Sequence, residues 1–125
     1  MKIKDERTCK FKDVRLPKAF KTKWLKALRS GDYLQTDGRL YYAQANNDKG
    51  GYCCLGVACR ITGNTMEELN NKTFPSELTN SKIPKLLLEI DQLMYDSNGI
   101  LARLAIMNDN GKSFKQIAAY IERYL

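Results

Sequence analysis

The chain has 125 residues, of which 43% are hydrophobic and 28% charged, a composition typical of one globular domain and not of a disordered chain. Its apolar runs, such as Ile100–Met107, are too short to cross a bilayer, so no membrane partner is expected. The net charge of +7 favours anionic partners. Because the sequence contains no histidine, catalytic dyads, general bases and metal sites that use a histidine side chain are excluded.

The basic residues are concentrated near the N-terminus. Residues 1–29 contain eleven Lys or Arg and three Asp or Glu, so the other 96 residues together have a net charge of −1. No apolar stretch follows the first charges, which argues against a signal peptide and predicts a cytoplasmic protein. We interpret residues 1–125 as one domain, with 1–15 as a candidate flexible basic arm. Such a segment attracts polyanions, although a solvated helix face that only aids solubility has the same pattern.

A helix with a four-residue apolar repeat is predicted after this arm. Its apolar residues are Leu16, Phe20, Trp24 and Leu28. The repeat is the period of a helix with one buried face, and Trp24 is the expected core anchor. Pro17 suits the first turn and Gly31 the C-terminal stop. The basic residues fall largely off the apolar stripe, at Lys18, Lys21, Lys23, Lys26 and Arg29.

Two strands and a short helix are predicted next. Arg39–Ala43 and Tyr52–Cys54, with the polar glycine loop Asn46–Gly51 between them, indicate a β-hairpin. From Leu55 the apolar spacing becomes helical and ends at Gly63. The chain therefore passes directly from strand to helix, with Cys53 and Cys54 at the junction.

Cys53 and Cys54 are the best candidates for catalysis, because the positive end of a helix lowers the pKa of a thiol. No base or orienting partner is identifiable for either residue. Since cysteine is among the most buried residue types, packing is the stronger interpretation. The cysteines lack the paired spacing of a zinc site, and without a secretion signal they are expected as thiols. No metal and no cofactor is predicted.

The remainder of the chain is predicted to be helical. Thr65 and Glu68 form a candidate capping box, and the polar loop Phe74–Lys82 follows. Two further helices are expected, from Pro84 to about Leu93 and over Ile100–Met107.

A second capping box, of Ser113 and Gln116, opens the last predicted helix. Its expected core residues are Phe114, Ile117, Ala118 and Ile121. The last two helices would form an αα-hairpin that serves the core, since a helix-turn-helix reader needs a recognition helix after this pair. The predicted fold is α+β, with a small β-hairpin or sheet packed against several short helices.

Asp109 is predicted to lie in the turn before the last helix, where its carboxylate satisfies local backbone donors.

Three blocks of sequence carry a resemblance to a known family. They are Trp24–Tyr33, Gly51–Val57 and a block from Met107 through Phe114 to Ile117-Ala118. In this order they resemble a group of small, mostly uncharacterised proteins of bacteriophages and prophages. The resemblance implies a viral origin and expression in the host bacterial cytoplasm, and it implies no activity.

The leading hypothesis is a non-enzymatic phage accessory protein that binds and neutralises a host factor or an anionic nucleotide signal, as in evasion of host defence. Arginine forks would hold phosphate and tyrosines would stack on a base, although sheet packing is the alternative for each tyrosine. The candidate ligand-binding residues are Arg29, Tyr33, Arg39, Tyr52, Arg60, Asn108, Asp109 and Lys112. A homo-oligomer is compatible with so small a domain.

Two alternatives belong to other functional classes. The first is sequence-tolerant nucleic-acid binding through the basic segment. Its candidate residues are Lys18, Lys21, Lys23 and Lys26. The second alternative is a thiol-dependent enzyme at Cys53 or Cys54.

Overall fold

The computed structural model describes residues 2–5, 10–13, 15–85, 87 and 100–125. The described residues form two two-stranded antiparallel sheets and six α-helices, with one short 3-10 helix. The predicted α+β class, with a small hairpin packed against short helices, is confirmed. The helix predicted from Pro84 to about Leu93 lies almost wholly outside the described residues.

Two strands lie within the segment 1–15. β1 (Lys2–Asp5) pairs antiparallel with β2 (Lys10–Asp13), and Lys2 lies opposite Asp13 in the register. The basic segment therefore contains a two-stranded ladder that the sequence did not indicate.

The predicted first helix is confirmed as α1 (Lys18–Ser30). The helix ends at Gly31, whose φ of 81° is in the left-handed region. Glycine adopts this conformation without strain because it has no Cβ atom. Trp24 is 0% exposed and Leu28 is also buried. The indole Nε1 of Trp24 donates to the carbonyl of Cys54 at 3.0 Å. Trp24 is thus the expected core anchor, and it also satisfies its one polar atom.

The predicted hairpin is present with shorter strands. β3 (Tyr41–Tyr42) pairs antiparallel with β4 (Gly51–Tyr52). The loop between them contains a short helical segment, α2 (Ala45–Asp48). Its left-handed residues are Asn46, Asn47 and Asp48. Asn and Asp tolerate this conformation better than other non-glycine residues, which explains how a polar loop can coil so tightly.

The short helix after the hairpin is α3 (Cys54–Ile61), and it runs through the core. Cys53 is its N-cap, with Sγ accepting from the backbone N–H of Gly56 at 3.4 Å. A Cβ on Gly56 would lie 1.7 Å from the carbonyl oxygen of Leu40. Only glycine permits this close approach of the helix to the chain before β3.

Two short elements follow. α4 (Met66–Leu69) begins at the predicted capping box, in which the side chains of Thr65 and Glu68 each accept from the other's backbone N–H. A 3-10 helix, Pro75–Glu77, lies in the segment predicted as loop.

The C-terminal αα-hairpin consists of α5 (Ile100–Asp109) and α6 (Phe114–Tyr124). Ser113 and Gln116 form the predicted capping box at the start of α6. The four expected core residues of α6 are all buried. α6 packs against α1, and the backbone N–H of Leu16 donates to the carbonyl of Leu125 at 2.8 Å.

Candidate functional site

Tyr33 and Tyr52, the candidates for base stacking, pack in one cluster with Tyr41. The ring centroids of Tyr33 and Tyr52 are 5.3 Å apart in an edge-to-face arrangement, and those of Tyr41 and Tyr52 are 4.7 Å apart. Burial raises the pKa of Tyr52, against the opposite effect of Arg60 beside it. The rings of Tyr41 and Tyr52 are used in the packing of the hairpin, whereas Tyr33 is partly exposed and Tyr42, also in β3, is exposed.

The three candidate arginines are held by other parts of the chain. Arg29 forms an ion pair with Glu122, and this contact lowers the pKa of Glu122. Arg39 Nε donates to Asn71 Oδ1 at 2.8 Å. Arg60 Nη1 donates to the carbonyl of Asn64 at 3.4 Å. Of the three, Arg60 is the one beside the tyrosine cluster, so within the described ranges the arginines do not converge with the tyrosines on one anion pocket.

Asn108 is the centre of a buried polar network. Its side chain is 3% exposed and makes three hydrogen bonds. Oδ1 accepts from Gln35 Nε2 at 3.0 Å and from the backbone N–H of Cys54 at 3.2 Å. Nδ2 donates to the carbonyl of Thr36 at 2.8 Å. Asn108 therefore ties the loop before β3 to the start of α3, and its role in the fold accounts for it without a ligand.

Gln35 extends the network to the turn between α5 and α6. Its Nε2 donates to the carbonyl of Lys112 at 2.7 Å, and its Oε1 accepts from the backbone N–H of Phe114 at 3.1 Å. Lys112, a candidate ligand-binding residue, takes part in this network through its backbone carbonyl, and its side chain is exposed. Neither Gln35 nor Thr36 was a sequence candidate, because single polar residues in a loop form no periodic pattern and match no motif.

The position of Asp109 differs from the prediction that its carboxylate satisfies backbone donors in its own turn. Asp109 is the last residue of α5, and its Oδ1 accepts from the backbone N–H of Gly38 at 3.0 Å, from a donor 71 residues away and not in its own turn. A shallow cavity of about 270 Å³ opens beside Asn108, with Asp37 in its wall. Because Asp37 supplies negative charge there, this cavity does not suit an anion.

The two candidate thiols are buried. Cys53 is 6% exposed and Cys54 is 0% exposed. Burial raises the pKa of Cys53 to about 11, and burial also raises that of Cys54 well above its usual value. The direction is opposite to the one expected from the helix N-terminus, because loss of hydration outweighs the helix dipole and the backbone N–H bonds. Both thiols are protonated at neutral pH and have capping and packing roles.

The lysines of α1 are the remaining candidates, and here the structure leaves charge exposed. α1 contains no acidic residue. Lys21 is half-buried, and its Nζ donates to the carbonyl of Glu122 at 3.1 Å. The other three side chains lie on the solvent-facing half of the helix, and we call them the basic face of α1: Lys18, Lys23 and Lys26. Within the part of the chain that the structure describes, no hydrogen bond or ion pair holds these three ammonium groups.

Comparison with known proteins gives a family. A family model described as "Domain of unknown function (DUF8296)" matches residues 16–83, from the start of α1 past the 3-10 helix. No curated protein and no solved structure matches the chain. Among the described helices, none combines the length and the apolar character needed to span a membrane. The basic face of α1 lies inside the matched residues, whereas Asn108 and α6 lie outside them.

Proposed function

The chain belongs to the DUF8296 family of domains of unknown function, and we propose that it is a non-enzymatic protein that binds nucleic acid on the basic face of α1. One observation carries the proposal: three exposed lysines lie on a helix without any acidic residue, and no other described residue bonds to their ammonium groups. Such a surface attracts phosphates regardless of base sequence.

The spacing of the lysines suits an extended anion. Lys18 and Lys26 are eight residues apart on α1, which corresponds to about 12 Å along the helix axis. Phosphates on one strand of a duplex advance by about 3.4 Å each, so this length spans three or four of them. A small nucleotide signal held by the candidate arginines and tyrosines would need these side chains to converge, but of the three arginines only Arg60 lies beside the tyrosines, and it is bonded to Asn64. The geometry therefore favours nucleic acid over the small signal.

The absence of catalysis is part of the same proposal. The sequence contains no histidine, and the two thiols proposed for covalent chemistry are buried and protonated. A nucleophile needs its deprotonated form and access to substrate, and these cysteines have neither.

The resemblance to bacteriophage and prophage proteins supplies the biological setting. In the host bacterial cytoplasm, a phage accessory protein of this kind would neutralise a component of host defence by occupying nucleic acid that the component needs. This setting rests on the three sequence blocks, and the binding proposal does not depend on it.

Fluorescence anisotropy with a labelled oligonucleotide tests the proposal. Three lysine contacts predict a slope of log affinity against log salt of about −2.7 for a duplex and about −2.1 for a single strand. The variant Lys18→Gln/Lys23→Gln/Lys26→Gln should lose most of the affinity. A matched control neutralises three exposed lysines elsewhere: Lys49, Lys72 and Lys115. Equal losses in the two variants would show that only the net charge matters, and no binding at low salt would end the proposal.

A further inference from the structure

A groove with an apolar floor and a basic rim lies beside the basic face of α1. It has a volume of about 420 Å³, within the range of small-ligand sites. Its floor includes Phe20 from α1 and Ile61 from the end of α3, and Pro84 closes one side. Two lysines also line it, Lys23 and Lys82. An aromatic and aliphatic surface between two cations suits a ligand with an apolar ring and a negative charge.

The charged residues that line the groove, among those the structure describes, are both basic. None of the described lining residues is acidic. The pKa of Glu68 is lowered mainly because the backbone N–H of Thr65 donates to its carboxylate at 2.9 Å, and the positive charge of Lys82 lowers it further. Both lysine side chains are exposed at the rim, so their ammonium groups can reach a bound anion.

The groove is continuous with the proposed nucleic-acid surface, because Lys23 belongs to both. A strand that follows the basic face of α1 would pass the mouth of the groove. In a duplex the bases are stacked inside and cannot enter it, whereas a single strand can turn one base outward. Base stacking on an aromatic side chain is worth enough to repay this rearrangement.

We propose that the groove binds one unpaired nucleotide of a single strand, with the base over Phe20 and the flanking phosphates on Lys23 and Lys82. This inference rests on the proposed nucleic-acid binding and sharpens it, since it predicts a preference for single strands over duplex. One stacked base accounts for roughly a tenfold difference in affinity.

The test compares a short single strand, the matching duplex and the same strand with abasic sites. The single strand should bind roughly tenfold more tightly than the duplex and the abasic strand. Two variants separate the groove from the rest of α1. Lys82→Gln removes a cation that is not on α1, and Phe20→Leu removes the ring while keeping apolar volume. Both should lower the affinity for the single strand towards that for duplex and leave duplex binding unchanged, with circular dichroism confirming the fold.

Each other outcome decides a different statement. Equal affinity for single strand and duplex, with no effect of Lys82→Gln, would overturn the groove and leave binding on α1 standing. A free nucleoside monophosphate that binds as tightly as the strand would overturn the commitment to a strand. Absence of binding to every oligonucleotide at low salt would remove the proposed function together with the inference.

Discussion

Two regions of the molecule use polar groups in opposite ways. We call the place where the start of α3 meets Leu40 and Asn108 the buried junction. There Asn108 is 3% exposed and has partners for both polar atoms of its side chain. On the basic face of α1, by contrast, Lys18 and Lys26 are exposed and the described part of the chain gives them no bonding partner. Polar groups that a fold needs are thus distinguished by burial and satisfied bonds from those left available to a partner.

Gly56→Ala should have the largest effect on the buried junction. The added Cβ would lie 1.7 Å from the carbonyl oxygen of Leu40, and a backbone atom cannot move aside as a side chain can. We expect a loss of about 4 kcal/mol or more in the free energy of unfolding, measured by urea denaturation. Gly31→Ala is the control, because its left-handed φ makes alanine cost about 1 kcal/mol in open space. Equal effects would contradict the close approach.

Asn108→Ala should follow, with a loss of about 3 kcal/mol. The change removes three hydrogen bonds and leaves the buried backbone N–H of Cys54 without its acceptor. Asn110→Ala is the matched control, since Asn110 is exposed just after the same helix and should change stability by no more than about 0.5 kcal/mol. If both variants unfold at the same urea concentration, the network does not hold the junction together.

The buried thiol of Cys53 predicts how stability depends on pH. Its pKa is about 11 in the folded protein against 9.0 as the usual value. The folded state therefore keeps a proton that the unfolded state loses, so stability is full below pH 9 and falls as pH rises through 11. The expected loss from this thiol is about 2 kcal/mol by the upper end of that range.

Urea denaturation at several pH values under reducing conditions measures this loss. Cys53→Ala should show a flatter dependence on pH, because the variant lacks this thiol and shares every other ionisable group with the original protein. Identical slopes would mean that Cys53 is hydrated and would restore it as a candidate nucleophile.

In both regions the sequence predicts the helices and their buried sides, because these follow a periodic pattern. It does not predict hydrogen bonds between residues that are far apart in the chain. The repeat of Phe20, Trp24 and Leu28 defines the buried side of α1 and so predicts which lysines are exposed. It fails for Lys21, whose bond to the carbonyl of Glu122 joins residues 101 positions apart. Capping boxes are predictable because both partners lie within four residues.

The interpretation that Cys53 and Cys54 pack in the core is confirmed, whereas the lowered thiol pKa expected from the helix N-terminus is wrong for a related reason. The helix N-terminus is visible in the sequence, but the burial that controls the pKa of Cys53 comes from packing. The choice of Gln35 and Thr36 as partners of Asn108 is likewise a consequence of tertiary structure. Sequence therefore indicates where charge and helices lie, whereas contacts between distant segments decide which polar residues are still free.

The smallest expected effect on stability is on the basic face of α1. Lys18→Gln/Lys23→Gln/Lys26→Gln should change the free energy of unfolding by no more than about 0.5 kcal/mol, because exposed charges contribute little and these have no partner to lose among the described residues. Any change should be towards greater stability at low salt, since neutralisation relieves repulsion between like charges, and should fade as salt is added. Lys21→Gln is the contrasting variant, with a loss of about 0.5 kcal/mol from its bond to α6. A triple variant that unfolds as readily as Asn108→Ala would show that the fold depends on these lysines, and loss of nucleic-acid binding in it could then not be assigned to direct contact.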